Sequence, residues 1–407
     1  AVSDFSPTFG LNMRQFDMMM KIYKILSQKY DVVCTNPPYM GGSGMNAKLS
    51  EFVKSKFPDS KSDLFACFIE KCGQLAKPHG FYAMITQHAF MFLSSYENLR
   101  KKLMQKTTVN MAHLGARAFD EIGGEVVQTT AFVMTGHIKD YKGTYARLVD
   151  TVGENEKRDL FLSGDKRFAA KQENFSKIPG SPVAYWVSEN FIRAFENGRL
   201  LGEIASSKQG IATADNNRFL REWYEVNVEK ILFDCSTHEE SKTSPAKWYP
   251  YNKGGEFRKW YGNNDYVVNW QYDGAELRNF KKSVIRNPNF YFMPCFSWSL
   301  ISSSVAAFRY KPKGHIFDVA GMSCFSNDKL HYLLALCNSS CAMKVLEVIA
   351  PTINYQCGDI ANIPVIIPDS DEVENHVKEL VKDNIDSCKT DWDYYEVSWD
   401  FEKHPLI

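Results

Sequence analysis

Asn36-Pro37-Pro38-Tyr39 brings an amide, two ring-locked prolines and an aromatic ring together in four residues. Successive prolines donate no backbone N–H, so they cannot prolong a strand ladder. Each also holds the residue before it in an extended conformation. The Asn36 side-chain oxygen and the Pro37 carbonyl can therefore point at one spot, and two converging acceptors suit an NH2 group. Binding both of its protons draws the nitrogen lone pair out of conjugation with an attached ring and leaves it nucleophilic. Tyr39 offers that ring a stacking face. The alternative for the bare tetrapeptide is a proline-rich turn.

The elements around it decide where that chemistry sits. "DVVCT" (31–35) is a β-branched, apolar run that reads as a buried strand, so the tetrapeptide lies at a strand's carboxyl end, where open α/β sheets bind ligands. Residues 11–28 carry apolar side chains at helical spacing. Ser62 is placed to cap a helix over 62–77, with apolar positions 64, 65, 68, 69, 72, 75 and 76 on one face. Pro78-His79-Gly80 should stop it before the strand "FYAMITQ". A helix near 94–105, a strand around "VNMAHLG" and a long strand pattern in "EVVQTTAFVMTGH" follow. This alternation predicts a largely parallel α/β sheet over residues 1–150.

The texture changes after residue 150. Residues 151–182 are polar and irregular and read as a connection. Residues 183–368 are rich in aromatics, Asn, Gly and short strand-like runs, the pattern of an α+β domain. Residues 369–407 read as an acidic helical segment, with 12 Asp/Glu against 4 Lys/Arg between 369 and 403, expected to avoid phosphate and to be dispensable for binding it.

Lys+Arg and Asp+Glu both number 48, so no global field draws the chain to nucleic acid or membrane, and any such binding needs a local patch. The ten cysteines contain no C-x-x-C and no zinc spacing, which predicts reduced thiols, no metal site and a cytoplasmic location. No apolar run reaches the ~18 residues of a membrane helix. "GGSGMN" (41–46) lacks the Lys-Ser/Thr of a phosphate loop and reads as a flexible lid or DNA-facing loop.

"NPPY" after an apolar strand, followed by "SDLFACFIEKCGQLAKPHGFYAMIT", resembles the amino-methyltransferases that act on the exocyclic amine of adenine in DNA. The resemblance makes Asn36, Pro37, Pro38 and Tyr39 the catalytic motif. It places Asp63 and Phe65 at the pocket for S-adenosylmethionine (SAM). It also marks Phe119, in "GARAFDEIGGEVVQTTAFVM", as the aromatic that stacks on the flipped base opposite Tyr39. "NPPYMGGSGMNAKLSEFVKSKFPDSKSDLFACFIEKC", "QGIATADNNRFLREWYEV" and "WDYYEVSWDFEKHPL" are similar to the adenine methyltransferase subunits of BREX-type phage-exclusion systems, across nearly the whole chain.

The implied fold is α/β, a partial Rossmann-like methyltransferase sheet followed by an α+β target-recognition domain. The implied activity is methyl transfer from SAM to the N6 amine of adenine at a specific site, in phage defence or restriction-modification. The implied partners are double-stranded DNA and further subunits of the defence system. One departure stands out. Only 35 residues precede Asn36, with Gly10 the sole glycine, so the family's glycine-rich SAM loop has no counterpart. The expectation is a C-terminal part of a longer enzyme that binds SAM poorly and is inactive alone.

Between 242 and 286 nine Lys/Arg face four Asp/Glu, and "KWYPYNKGGEFRKWYGNNDY" interleaves cations, aromatics and amides. Cations position phosphates, while amides and Arg read base edges. Lys253, Arg258 and Lys259 are the expected phosphate contacts here, with Lys208, Asn216, Asn217 and Arg218 from "KQGIATADNNRF". An ordinary solvated surface is the bland alternative. Pro294-Cys295 lies in an apolar run unlike a cytosine-methylating site. A protein-glutamine methyltransferase, an RNA-adenine enzyme and a DNA-specificity module without catalysis of its own are the competing functions.

Overall fold

β1 (Tyr30–Thr35) ends where Pro37 and Pro38 forbid further pairing, so Asn36 emerges just past a strand. The computed structural model describes residues 13–120, 127–302 and 305–407, which divide into units 1–187 and 188–407. In the first unit, α1 (Met13–Ser27) and α2 (Ala47–Lys56) flank β1 in sequence, and Asp63 rather than Ser62 caps α3 (Leu64–Leu75). β2 (Ala76–Gln87), α4 (Glu97–Leu103), β3 (Thr107–Gly115), β4 (Thr129–Thr135) and β5 (Lys142–Arg147) follow. α5 (Glu154–Ser163) and β6 (Arg167–Lys171) complete the set.

The six strands form one sheet in the order β1-β2-β4-β3-β5-β6. It is mixed rather than largely parallel: β1/β2 and β3/β5 are parallel, whereas β2/β4, β3/β4 and β5/β6 are antiparallel. A parallel crossover needs a dozen or more residues, usually a helix. α3 supplies one between β1 and β2, but β5 reaches β6 through α5 and still returns antiparallel.

Residues 151–182, expected to be a connection, instead carry α5 and β6 of this sheet. The buried Arg100 guanidinium also ties residue 180 to the unit, donating to the carbonyls of Gly180, Phe90 and Leu93.

The sheet's two faces differ. Tyr82, Met84, Met111, Phe132, Met134 and Tyr145 pack with Phe65, Ile69 and Cys72 of α3 and Leu99 and Leu103 of α4 in one core. The opposite face carries small side chains, among them Ala83, Ala112, Ala131 and Ala146. They line an open trough of about 780 Å³ with Phe161 and Arg167 at its side.

On the core side, His88 Nδ1 lies 2.8 Å from His113 Nε2, and His113 Nδ1 lies 3.2 Å from the Tyr185 hydroxyl. The two facing ring nitrogens cannot both carry a proton, so this bond cannot survive charging of both rings. Burial pushes His88 down to about 4 and lowers His113, which also feels His88, Arg147 and Lys157. Below pH 6.5 the unfolded chain therefore binds more protons than the folded one, and stability falls with pH toward 4; above pH 6.5 this contribution is flat. The unfolding free energy is expected to drop by roughly 2 kcal/mol or more between pH 7 and 4.5. The variant His88→Leu/His113→Phe should lose most of that acid slope in urea titrations. An unchanged slope would assign it to carboxylates elsewhere.

The second unit is α+β. Two four-stranded sheets, ordered 316–317/248–252/266–269/220–222 and 308–311/295–298/323–325/206–208, accompany an aromatic core built on Tyr249, Trp270, Tyr291, Phe292 and Phe317. The acidic segment packs onto this unit. Its helix Asp371–Asp393 buries Val381, Ile385 and Trp392, and Lys329 is ion-paired to Glu374 at 2.6 Å. All ten cysteines are free, and among the described residues no His/Cys/Asp/Glu group could hold a metal ion. Among those residues no single helix is long and apolar enough to cross a membrane.

Candidate active site

Strand direction gathers the site. β1, β2 and β3 run the same way and β4 runs against them. The carboxyl ends of β1 and β3 and the first residue of β4 therefore lie along one edge. Asn36 follows β1, Phe119 follows β3, and Thr129 opens β4. These three, with Tyr39, Arg117, Ala118 and Val127, line a cavity of about 270 Å³. That is the scale of a single base rather than of a drug-sized ligand.

Each wall has a local cause. Pro37 is buried, while Asn36, Pro38 and Tyr39 are exposed. Asp63 Oδ1 accepts from Met40 N at 2.9 Å and from Phe65 N at 3.3 Å, so one carboxylate caps α3 and fastens the chain leaving Tyr39. Leu64 N donates to the Met40 carbonyl and Gly42 N to the Ser62 carbonyl. The 41–46 stretch, expected to be a flexible lid or a DNA-facing loop, is thus tied by backbone bonds to the start of α3. Phe65 meets Tyr39 edge-on, with centroids 6.1 Å apart at 84°, and fixes the ring from behind. Burial and the Asp63 carboxylate push the Tyr39 phenol up, which keeps it neutral.

The opposite wall turns sharply after β3. Gly115 and Arg117 both have left-handed φ, at 69° and 51°. A Cβ on Gly115 would also sit about 3.0 Å from Val149, so glycine is required there twice over. α5 braces this turn. The buried Lys157 ammonium donates to the carbonyls of Leu114, Leu148 and Thr151 at 2.7, 2.8 and 2.6 Å, and Glu154 N donates to Asp120 Oδ1 at 3.1 Å. Phe119, 39% exposed, is carried on this braced loop. Sequence reasoning missed α5 and Lys157 because a polar ten-residue helix looks like a linker; Gly153 and Gly164, which bracket it, were the available signal.

Asn36, Tyr39 and Phe119 thus converge. The two residues expected at the SAM pocket are both engaged within the chain. Phe65 is fully buried and belongs to the core, and Asp63 is engaged as a cap. Asn36 also borders the large trough, whose lining among the described residues holds no carboxylate.

The expected DNA contacts of the second unit are also partly engaged within the chain. The Lys259 ammonium donates to the buried Asn338 carbonyl at 2.8 Å. Arg258 lies over the Trp392 ring, 4.9 Å from its centroid, and pairs with Asp391. The acidic helix thus covers part of the basic stretch. Arg218 is bound to Glu276 at 2.7 Å, and the Asn216 side-chain oxygen accepts from Thr213 Oγ1 at 2.6 Å. Asn217 is exposed, and Lys253 lies over Tyr266.

Lys208, also expected to contact DNA, lies on a separate strip. Residues 208–212 run beside 284–290: Ala212 bridges to Val284, Asn287 Nδ2 donates to the Gln209 carbonyl, and Lys208 lies over Phe290. Lys281 and Lys282 are exposed next to Val284. This strip therefore carries lysines at both ends and amides between.

Residues 8–119 match the model of the Eco57I restriction-modification methylase family. Over 96% of its length the chain is 42% identical to the adenine-specific methyltransferase PglX of Lacticaseibacillus casei (strain Zhang), covering 33% of that protein. It is 44% identical, over 94% of its length, to the adenine-specific methyltransferase BrxX of Escherichia coli O9:H4 (strain HS), covering 31%. The chain spans about a third of the length of the curated relatives it matches. Among solved structures, the Type IIL restriction-modification enzyme MmeI in complex with DNA superposes with a TM-score of 0.56. That match covers 91% of this chain and 50% of the other at 12% identity, a likeness of fold alone.

Proposed function

The chain is homologous over nearly its whole length to adenine-specific methyltransferases, and we propose that it forms the base-binding and DNA-reading part of such an enzyme. The reaction is transfer of a methyl group to the N6 amine of a flipped adenine at a specific duplex sequence. The biological setting is marking of host DNA in phage defence or restriction-modification, alongside other subunits of the system. The observation that carries this reading is the convergence of Asn36, Tyr39 and Phe119 on one base-sized cavity.

SAM supplies an electrophilic methyl group when bound; the residues of this chain act on the other reactant. The Asn36 side-chain oxygen and the Pro37 carbonyl accept the two amine protons and hold the nitrogen lone pair out of the ring. Tyr39 and Phe119 hold the ring between them, and the buried Pro37 keeps water from one side. Extruding the base costs a few kcal/mol. Stacking offsets roughly 1–3 kcal/mol per base. A fluorescent adenine analogue at the target position should brighten when the intact enzyme binds, and Tyr39→Ala should cut that signal several-fold. If the wild-type complex stays dark, adenine is not flipped and the proposed function fails.

A second reading has its own support. The strip of residues 208–212 and 284–290 in the second unit, with lysines at both ends, would serve a DNA-specificity module without catalysis of its own equally well. Duplex binding by this chain without SAM binding, measured separately, favours that reading.

A further inference from the structure

Thr129 is 2% exposed, and its Oγ1 finds no hydrogen-bond partner among the described residues. It is also a wall residue of the base-sized cavity. Its neighbour Thr130 differs, since that hydroxyl donates to the Ala112 carbonyl. The contrast follows from strand alternation: Thr129, Ala131 and Val133 share one face of β4, while Thr130, Phe132 and Met134 share the other. Thr129 is the first residue of β4, paired with Gln87 of β2 and Gly115 of β3. That places it on the edge between the strands that deliver Asn36 and Phe119.

A buried hydroxyl without a partner costs folding free energy. Thr129 belongs to the cavity wall, and rotation about its Cα–Cβ bond would turn this covered hydroxyl toward a ligand atom. We propose that Thr129 is a specificity-determining residue that donates its hydroxyl proton to a ring nitrogen of the flipped base. This rests on the adenine reading above and deepens it. With both amine protons held by Asn36 and Pro37, the remaining polar edge of adenine offers only acceptors, N1, N3 and N7. A hydroxyl donor suits any one of them. Guanine lacks the amine at the position Asn36 and Pro37 address and carries a proton on N1. Cytosine carries an amine, but its single ring leaves the stacked cavity part-empty. The pair of acceptors selects an amine and the stacked cavity a purine; Thr129 adds a bond that requires an unprotonated ring nitrogen.

The test uses the intact methyltransferase with Thr129→Val, which keeps the shape and removes the hydroxyl, and Thr129→Ser, which keeps the hydroxyl. Duplexes carry adenine, 1-deazaadenine, 3-deazaadenine or 7-deazaadenine at the target. Thr129→Val is expected to lower kcat/KM on adenine by about tenfold, the worth of one hydrogen bond. Thr129→Ser should stay within about threefold of wild type on the same scale. One of the three deaza analogues should reproduce the loss with the wild type and show no further loss with Thr129→Val.

Melting temperature provides the second readout. Because the hydroxyl is unpaired, Thr129→Val should melt at or above the wild-type temperature. Lower activity with a lower melting temperature would assign Thr129 a structural role and overturn the proposal. So would Thr129→Val activity equal to wild type on adenine. A wild-type enzyme that methylates no adenine overturns the functional reading itself, which separates the two failures.

Discussion

Asn36→Ala in the intact enzyme should reduce adenine methylation by about 10²–10³-fold, the loss seen when one polar group aimed at developing charge is removed. The side-chain oxygen acts on a nitrogen that becomes positive as the methyl group arrives. Its interaction therefore strengthens in the transition state more than in the bound ground state, and the loss should appear in kcat rather than KM. Duplex affinity should change little, because Asn36 is one exposed side chain at a cavity rather than a phosphate contact. Asn36→Asp keeps an acceptor oxygen and should retain more activity than the alanine variant. Single-turnover methylation of a site-bearing duplex, with affinity measured in parallel, separates these effects. An alanine variant that methylates at the wild-type rate would remove Asn36 from catalysis.

The second large effect should come from Lys208, Lys281 and Lys282. Each phosphate neutralised by a cation contributes about −0.9 to the slope of log affinity against log salt. Replacing all three with Ala should therefore flatten that slope by roughly two to three and weaken binding by about 10²-fold at 0.1 M salt. These lysines are preferred to Arg258 and Lys259, which pair with Asp391 and the Asn338 carbonyl. Lys259→Ala should lower the melting temperature, since it leaves a buried carbonyl without its donor, and should leave the salt slope unchanged. A triple variant with the wild-type slope would move the DNA surface away from this strip.

The sequence by itself determined the local pieces of the site. Two prolines after an apolar run had to end a strand at Asn36, because neither can donate to a ladder. A helix start at residues 62–64 was legible from the apolar face that follows, although the sequence pointed to Ser62 and the fold uses Asp63 as the cap. Asn36 and Tyr39 could be named from the tetrapeptide, Phe119 only through the family resemblance, and the α/β character followed from alternating periodicities.

Tertiary structure decided what depends on a partner distant in the chain. β4 had to return antiparallel beside β2 before Thr129 could meet Asn36, and hydrophobic periodicity does not encode strand direction. Phe65 looked available in sequence, yet the core claimed it behind Tyr39. Lys157 looked like a surface charge, yet three carbonyls from separate turns converge on its ammonium. Arg258 and Lys259 counted equally with the other cations until the acidic helix and the Asn338 carbonyl engaged them. A formal charge is a property of one residue. Whether it remains available for a phosphate depends on which hydrogen-bonding groups the fold brings within about 3 Å of it.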